Sequence, residues 1–349
     1  MDKSQGTYLV TGGAGFIGSA LVRRLIGEGV HVITLDALTY AGNLSNLDGL
    51  DETGRHTFVH GSITDRRLVD ELLATHRPGY LINVAAETHV DRSIDGPAAF
   101  IKTNVVGTAN LLDAVRTAGA TGGYAPRYVQ VSTDEVYGTI RDGEFTEDSP
   151  FRPNSPYAAS KASADLLVRS YFKTYGMDAV ITNGSNTYGP RQFPEKLIPL
   201  MVLNAIEGKP LPVYGDGQNV RDWLYVDDHA RGILAVARGG AAGCNYNIGG
   251  RHEMKNIDLV RMLCATLDAA RPKDDGGQYA AQIAFVEDRP GHDFRYALSI
   301  DRAESELGWR PDKPFETGFS ETVHWYLDNM DWSREIADTK YARERLGRG

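Results

Sequence analysis

Three consecutive residues, Thr133-Asp134-Glu135, close the strand-like run YVQVS, and Tyr157 and Lys161 follow at helical spacing, four positions apart. Two adjacent carboxyls with no cation beside them in the local sequence repel each other, and their place at a strand end calls for an explanation. A phenol titrating near 10 is a poor base at neutral pH, but a nearby ammonium and the positive end of a helix both favour its ionised form. Tyr157 and Lys161 lie on one helical face. A Tyr-x-x-x-Lys pair by itself is far more often a solvated surface pair; here its place behind a glycine-rich βα turn and just downstream of a Ser-Thr pair at a strand end makes it a candidate general base.

Side chains of this kind need a rigid frame. Short apolar runs (TYLVTG, HVITLD, HTFVHG, GYLINVAA, PRYVQVST, DAVITN) alternate with longer amphipathic ones (FIGSALVRRLIGEG, DRRLVDELLATH, AAFIKTNVVGTANLLDAVRTAG). That is the pattern of an α/β, Rossmann-type doubly wound parallel sheet with helices on both faces. Seven strand candidates are expected before residue 185. Ser155 and Pro156 read as the N-cap and first residue of the helix that carries Tyr157 and Lys161. Beyond residue 185 the punctuation becomes rich in Pro and Gly with embedded charges (GPRQFPEKLIP, GKPLPVYGDGQ, DRPGHDFRY), as expected of loops in a smaller mixed α/β lobe. The run WLYVDDHARGILAVARG reads as a strand and helix returning to the first lobe. The expected division is 1–189 with 223–249 for the dinucleotide lobe, and 190–222 with 250–349 for the second.

The first βα turn is TGGAGFIGS, with Gly12, Gly13, Gly15 and Gly18 between strand and helix. Glycines there allow a tight turn and close approach of backbone to a pyrophosphate, which meets the free N–H groups of the helix end. Asp36 ends the second strand 18 residues beyond Gly18, near the spacing of the carboxylate that binds an adenosine ribose. Its charge would repel a 2′-phosphate, so NAD rather than NADP is expected.

A length of 349 residues exceeds the roughly 250–300 at which a single core stops growing, consistent with two lobes and a cleft. The formal net charge of −9 argues against a nucleic-acid surface, so an anionic ligand must be met by individually placed cations. Cys244 and Cys264 are 20 apart without a CxxC pattern, which speaks against a disulfide framework or a metal site and for a reducing compartment; no apolar run approaches a membrane span. A cytoplasmic protein with neither membrane nor nucleic-acid partner is expected.

Taken together, TGGAGFIGS, Asp36, STDEVYG and YAASK resemble the extended short-chain dehydrogenase/reductase family. More narrowly, LTYAGN (38–43), AAETHVDRSI (85–94), STDEVYG (132–138), FPEKLIP (193–199), NVRDWLYVDDH (219–229), YNIGG (246–250) and DRPGHD (288–293) are similar to the dTDP-glucose 4,6-dehydratases, in order along nearly the whole chain. The resemblance implies transient oxidation at C4 of a nucleotide-diphosphate sugar, loss of water across C5 and C6, and hydride return to C6. It assigns Tyr157 to the 4-hydroxyl proton, Thr133 to a hydrogen bond with that hydroxyl, Glu135 to the C5 proton, Asp134 to the departing 6-hydroxyl, and Lys161 to the nicotinamide ribose. It further implies cofactor contacts at Gly12, Gly15, Phe16, Ile17, Gly18, Asp36, Leu38, Thr39, Ser62, Ile63, Ala85, Ala86, Thr103, Ser132 and Asn186. Substrate contacts are implied at Thr88, Thr187, Lys196, Leu197, Pro212, Val213, Tyr214, Arg221, Asn256, Arg289 and His292, and a homodimer through a four-helix bundle built from helices 98–118 and 157–175.

The chain departs from the family pattern at Ser62, where an acid is usual, at Asn83 in place of a histidine, at Asn183-Gly184 in place of Arg-Cys, and at Thr187 in place of a second asparagine. These positions leave a UDP-hexose or other nucleotide-sugar open as substrate. A 4-epimerase needs no acid pair and a decarboxylase of this fold typically replaces the aspartate, so Asp134 discriminates among the enzymes. A non-catalytic NAD-binding regulator would have lost some of Asp134, Glu135, Tyr157 and Lys161.

Overall fold

The computed structural model describes residues 6–340. Its centre is a seven-stranded parallel sheet. Six strands come from the first half of the chain: β1 (Tyr8–Thr11), β2 (Val32–Asp36), β3 (His56–His60), β4 (Tyr80–Asn83), β5 (Arg127–Thr133) and β6 (Ala179–Gly184). Seven had been expected before residue 185; the seventh arrives much later. A short strand, β7 (Asn186–Tyr188), and β8 (Leu211–Tyr214) and β9 (Val220–Tyr225) lie outside the sheet, and β10 (Asn245–Ile248) completes it in the order β10-β6-β5-β4-β1-β2-β3. β11 (Glu253–Lys255) pairs with β9, and β12 (Ile283–Val286) with β8.

The central strands are buried on both faces, as their unbroken apolar runs require: Tyr8, Leu9 and Val10 are all essentially inaccessible. α1 (Phe16–Gly27) and α2 (Arg66–His76) cover the first strands; the Asp65 side chain caps α2 by accepting from Leu68 N at 3.1 Å. After β4 come α3 (Val90–Asp95), α4 (Pro97–Phe100) and α5 (Thr108–Gly122). The helix expected over 98–118 is not uniform, because residues 101–107 between α4 and α5 wind as a π-helix. That wide turn brings Asn104 against the loop after β4, where its amide accepts from Glu87 N (2.9 Å) and donates to Glu87 O (3.0 Å) and Ser160 Oγ (2.8 Å). α6 (Pro156–Tyr175) starts as its sequence predicts, with Ser155 Oγ accepting from Ala158 N and Pro156 in the first turn.

In the second half, α7 (Leu197–Ile206), α9 (Asn256–Ala270) and α11 (Phe315–Asp328) pack around β8 and form a separate core that includes Met201, Leu211, Leu263 and Phe319. α8 (Val226–Gly239) returns to the central sheet and packs against α1, as the sequence suggests, but the strand before it does not: β9 lies between β7 and β11 in a three-stranded sheet. α10 (Asp301–Leu307) packs near β10, and α12 (Met330–Lys340) ends the described chain. Among the described residues no helix is long and apolar enough to cross a membrane.

The parallel register gathers the functional strand ends on one edge. Thr11 pairs with Asn83, Ser132 with Asn183, and Thr133 with Gly184. Ligands of open α/β sheets sit outside these carboxyl ends. Asn83, one of the departures from the family pattern, is held in place beneath that edge. It accepts from Thr11 Oγ1 at 2.6 Å and donates to Gln130 Oε1 at 3.0 Å.

Candidate active site

The glycine turn is built around steric absence. Gly12 has φ +69°, and a Cβ there would fall 2.6 Å from Ala85 N; a Cβ on Gly18 would lie 2.1 Å from Gly12 O. Both contacts are with backbone, which cannot step aside. Gly15 caps α1 without a side-chain hydrogen bond, leaving the first N–H groups of the helix for an anion. Asp36 ties this turn to the end of β2: its carboxylate accepts from Ala14 N (2.9 Å) and Leu38 N (2.8 Å). The turn opens on a cleft of about 300 Å³. Of the predicted cofactor residues, Gly12, Gly15, Phe16, Ile17, Gly18, Asp36 and Thr39 line one end of it, Ser62, Ile63, Ala85, Ala86 and Thr103 its flank, and Ser132, Tyr157 and Asn186 the far end. Leu38 does not line it; its backbone is left-handed (φ +50°) and its side chain, partly buried, packs against the core. Lys161 does not line it either. A crowding-free glycine turn, unsatisfied helix-end donors and a ribose-spaced carboxylate in one cleft fit a dinucleotide.

At the far end the five predicted catalytic residues come together around the end of β5, with Lys161 in the wall behind. Thr133 Oγ1 donates to Asp134 Oδ1 (3.1 Å) and accepts from Glu135 N, which fixes the turn that throws the two carboxyls in different directions. Asp134 is buried, and its Oδ2 has no partner. Burial, then the charge of Glu135, pushes its carboxyl well above the usual range. Glu135 opens on the cleft; burial raises it too, but Arg289, Lys196 and Arg221 all oppose that shift. Both acids line the cleft but in unlike surroundings: Asp134 has an unpartnered oxygen beside a second carboxylate, and Glu135 has three cations opposing its shift.

Tyr157 differs from expectation. Burial and the carboxylates of Glu135 and Asp134 push its phenol well up, a hydrogen bond with Thr133 only partly offsetting them. Lys161 is not among the groups that shift it most; its ammonium donates to Val131 O at 2.7 Å inside the wall, and burial drops it to about 8. Asp165, one turn further along α6, is the charge near that ammonium. It accepts from Ser132 Oγ at 2.6 Å, and burial raises it to about 7.

A second cavity of about 210 Å³ adjoins the first, sharing Glu135, Asn186, Glu195 and Lys196. Leu197, Pro212, Val213, Tyr214, Arg221, Asn256, Arg289 and His292 line it, whereas Thr88 and Thr187 belong to the first cavity. Arg289 donates to Asp91 Oδ1 (3.0 Å), whose other oxygen takes the Tyr214 hydroxyl (3.0 Å), while the Arg289 Nε is buried without a partner. Arg221 lies over the Tyr296 ring at 4.4 Å, Lys196 Nζ donates to Thr88 O (3.2 Å), and His292 Nδ1 meets Asp288 at 2.6 Å. Cations gathered along a cavity in a protein of net charge −9 suit a diphosphate. Sequence reasoning missed Asp91, Asn104, Glu195 and His229. Glu195 and Asp91 lie within the quoted stretches FPEKLIP and AAETHVDRSI, but only folding shows that Glu195, with Arg92 at 3.3 Å, stands where the cavities meet.

A parallel sheet with a glycine-cradled cleft, a Tyr-x-x-x-Lys helix at its far end and a second lobe closing over it is the plan of the extended short-chain dehydrogenase/reductases. Within that class, the family model described as GDP-mannose 4,6 dehydratase matches residues 9–322. A dTDP-glucose 4,6-dehydratase of Xanthomonas campestris pv. campestris (strain B100) is 53% identical over 346 residues, covering 98% of this chain and 99% of the relative. The crystal structure of DesIV, a dTDP-glucose 4,6-dehydratase from Streptomyces venezuelae solved with NAD bound, superposes with a TM-score of 0.88 at 48% identity, covering 95% of this chain and 99% of that one. That of the Bacillus anthracis str. Ames dTDP-glucose 4,6-dehydratase in complex with NAD gives 0.84 at 43% identity, with coverage of 95% and 99%. The chain belongs to the dTDP-glucose 4,6-dehydratase family.

Proposed function

We propose that the protein is an NAD-dependent hydro-lyase that converts dTDP-glucose to dTDP-4-keto-6-deoxyglucose. NAD, once bound, would supply the hydride acceptor and donor for the sugar and a positive charge near the Tyr157 phenol. The cofactor's cradle would be Gly12, Gly15 and Gly18 for the pyrophosphate and Asp36 for the adenosine ribose. We assign Lys161 to the nicotinamide ribose; its ammonium has donors to spare beyond the one on the Val131 carbonyl. Tyr157 takes the proton of the sugar 4-hydroxyl, with Thr133 hydrogen-bonding the same oxygen. The C4 ketone acidifies the C5 hydrogen, which Glu135 removes, and Asp134 donates its proton to the 6-hydroxyl as it leaves as water. Arg221, Arg289 and Lys196 hold the diphosphate, and Pro212, Val213 and Tyr214 pack against the base.

The observation that carries the division of labour is the contrast between Asp134, whose carboxyl burial and the charge of Glu135 push well up, and Glu135, faced by three cations. An epimerase has no use for such a pair. The purified protein given dTDP-glucose should form a 4-keto-6-deoxy sugar, read by its absorbance in alkali, without added NAD; turnover of a UDP-hexose and not of dTDP-glucose would overturn the substrate assignment and leave the chemistry standing.

We assign the described part of 1–189 together with 223–249 to the NAD lobe and that of 250–349 together with 190–222 to the sugar-nucleotide lobe, a division supported by the packing of α8 on α1; residues 1–5 and 341–349 lie outside the described residues. Ile101, Val106 and Leu166 are about half exposed on the π-helix and α6, which supports a homodimer through these helices. Both cysteines are unpaired thiols, consistent with a cytoplasmic enzyme.

A further inference from the structure

His229 enters none of the assignments above, although it stands in the wall of the NAD cleft, buried in the first turn of α8. Its ring lies against the backbone at the end of β6. A Cβ on Gly184 would fall 2.5 Å from His229 Cε1 and 2.6 Å from Nε2, so only glycine at 184 leaves room for the imidazole. On its other edge, His229 Nδ1 is 2.8 Å from Thr187 Oγ1, and that hydroxyl also reaches Ser185 O at 3.1 Å. Thr187 has one proton, and a carbonyl can only accept. Both contacts are made together only if the threonine donates to Ser185 O and the Nδ1–H donates to the threonine. Those contacts place a proton on Nδ1; burial lowers the ring to about 4, so at neutral pH it carries no second proton and Nε2 holds a lone pair. That atom is buried and has no partner. An unpaired acceptor held this firmly in a cleft wall is costly unless something donates to it.

We propose that His229 Nε2 binds an N–H or O–H donor of the molecule seated in the cleft, with Gly184 making room for the ring and Thr187 fixing which nitrogen bears the proton. Gly184 and Thr187 are two of the positions at which the chain departs from its family's pattern, and both touch this one imidazole. Such a donor has two sources, the carboxamide of NAD and a hydroxyl of the sugar. The inference rests on reading the cleft as the site of NAD and a nucleotide-sugar.

The test uses isothermal titration in two arms. NAD-stripped protein is titrated with NAD and with its 3-acetylpyridine analogue, in which a methyl replaces the amide nitrogen. NAD-loaded protein is titrated with dTDP-glucose and with dTDP. If the carboxamide is the donor, the unaltered protein prefers NAD to the analogue by about tenfold, and His229→Phe loses that preference. If a sugar hydroxyl is the donor, His229→Phe loses about tenfold for dTDP-glucose and nothing for dTDP. Thr187→Val, which frees Nδ1 and lets the proton move to Nε2, shows the same selective loss and covers the case in which the phenylalanine variant does not fold. Either pattern supports the proposal. Affinities unchanged in all four titrations overturn it, as does an equal loss for every ligand. Failure of the unaltered protein to bind NAD or dTDP at all would instead refute the functional reading.

Discussion

Replacing Asp134 by asparagine tests both the charge and the role of that residue. The native carboxyl is buried beside Glu135 with an unpartnered oxygen, and its pKa lies well above the ordinary value. A folded-state carboxyl raised in this way keeps a proton that the unfolded chain releases once the pH passes about 4. Folding stability therefore falls as pH rises from there to the folded pKa, by about 1.4 kcal/mol for each pH unit. Asparagine has no proton to lose and escapes this slope. The stability difference between Asp134→Asn and the unaltered protein should grow in favour of the variant by that amount per unit across the window. A partner missing for the new amide would shift the curve by a constant and leave its slope untouched. Urea unfolding at several pH values from 4.5 upward, at one protein concentration, reads the slope directly. A difference independent of pH would mean that Asp134 is ionised in the folded protein and cannot be the acid. The same variant should slow loss of water by about 10²–10⁴-fold, the usual contribution of a general acid, while still exchanging the C5 hydrogen with solvent. Equal loss of exchange and elimination would refute the assignment.

Tyr157→Phe should cut turnover by about 10³-fold with little change in dTDP affinity, checked by product formation beside titration calorimetry; a drop of less than tenfold would remove the phenol from the chemistry. Gly18→Ala should abolish NAD binding and lower the melting temperature, since its Cβ would lie 2.1 Å from Gly12 O; an alanine variant that copurifies with NAD would contradict the backbone contact. Arg289→Gln should weaken dTDP binding by about 10–100-fold, the worth of a charge-assisted hydrogen bond to phosphate, and a smaller loss would place the diphosphate elsewhere.

The parts of the site that could be read from sequence are those set by local chemistry. The glycine turn, Asp36 at its ribose spacing and Ser155-Pro156 opening α6 each depend on neighbours a few residues away, and each stands where it was expected. Tyr157 and Lys161 are also local, yet their electrostatics were misread. Spacing places two side chains on one helical face but does not say that the ammonium will find the Val131 carbonyl, or that two carboxylates from β5 will surround the phenol. Burial by distant segments makes that decision. Asp91 and Glu195 stayed hidden for the same reason: Asp91 gains meaning only when Tyr214 and Arg289 arrive from 123 and 198 residues away. The strand count failed because one member of the central sheet is separated from its neighbour by the excursions through β7, β8 and β9.

That late strand governs when the enzyme can become whole during synthesis. β6 bonds to β5 on one side, and its other row of amides and carbonyls is satisfied by the segment from Gly243 to Ile248. Until those residues leave the ribosome, the nascent sheet ends in AVITNG, an apolar strand with an open edge of the kind that recruits stray chains. The strand that shields the nascent protein from aggregation thus lies far along the chain, and the wall of the cleft, from Gly184 to Thr187, is laid down before its shield is made.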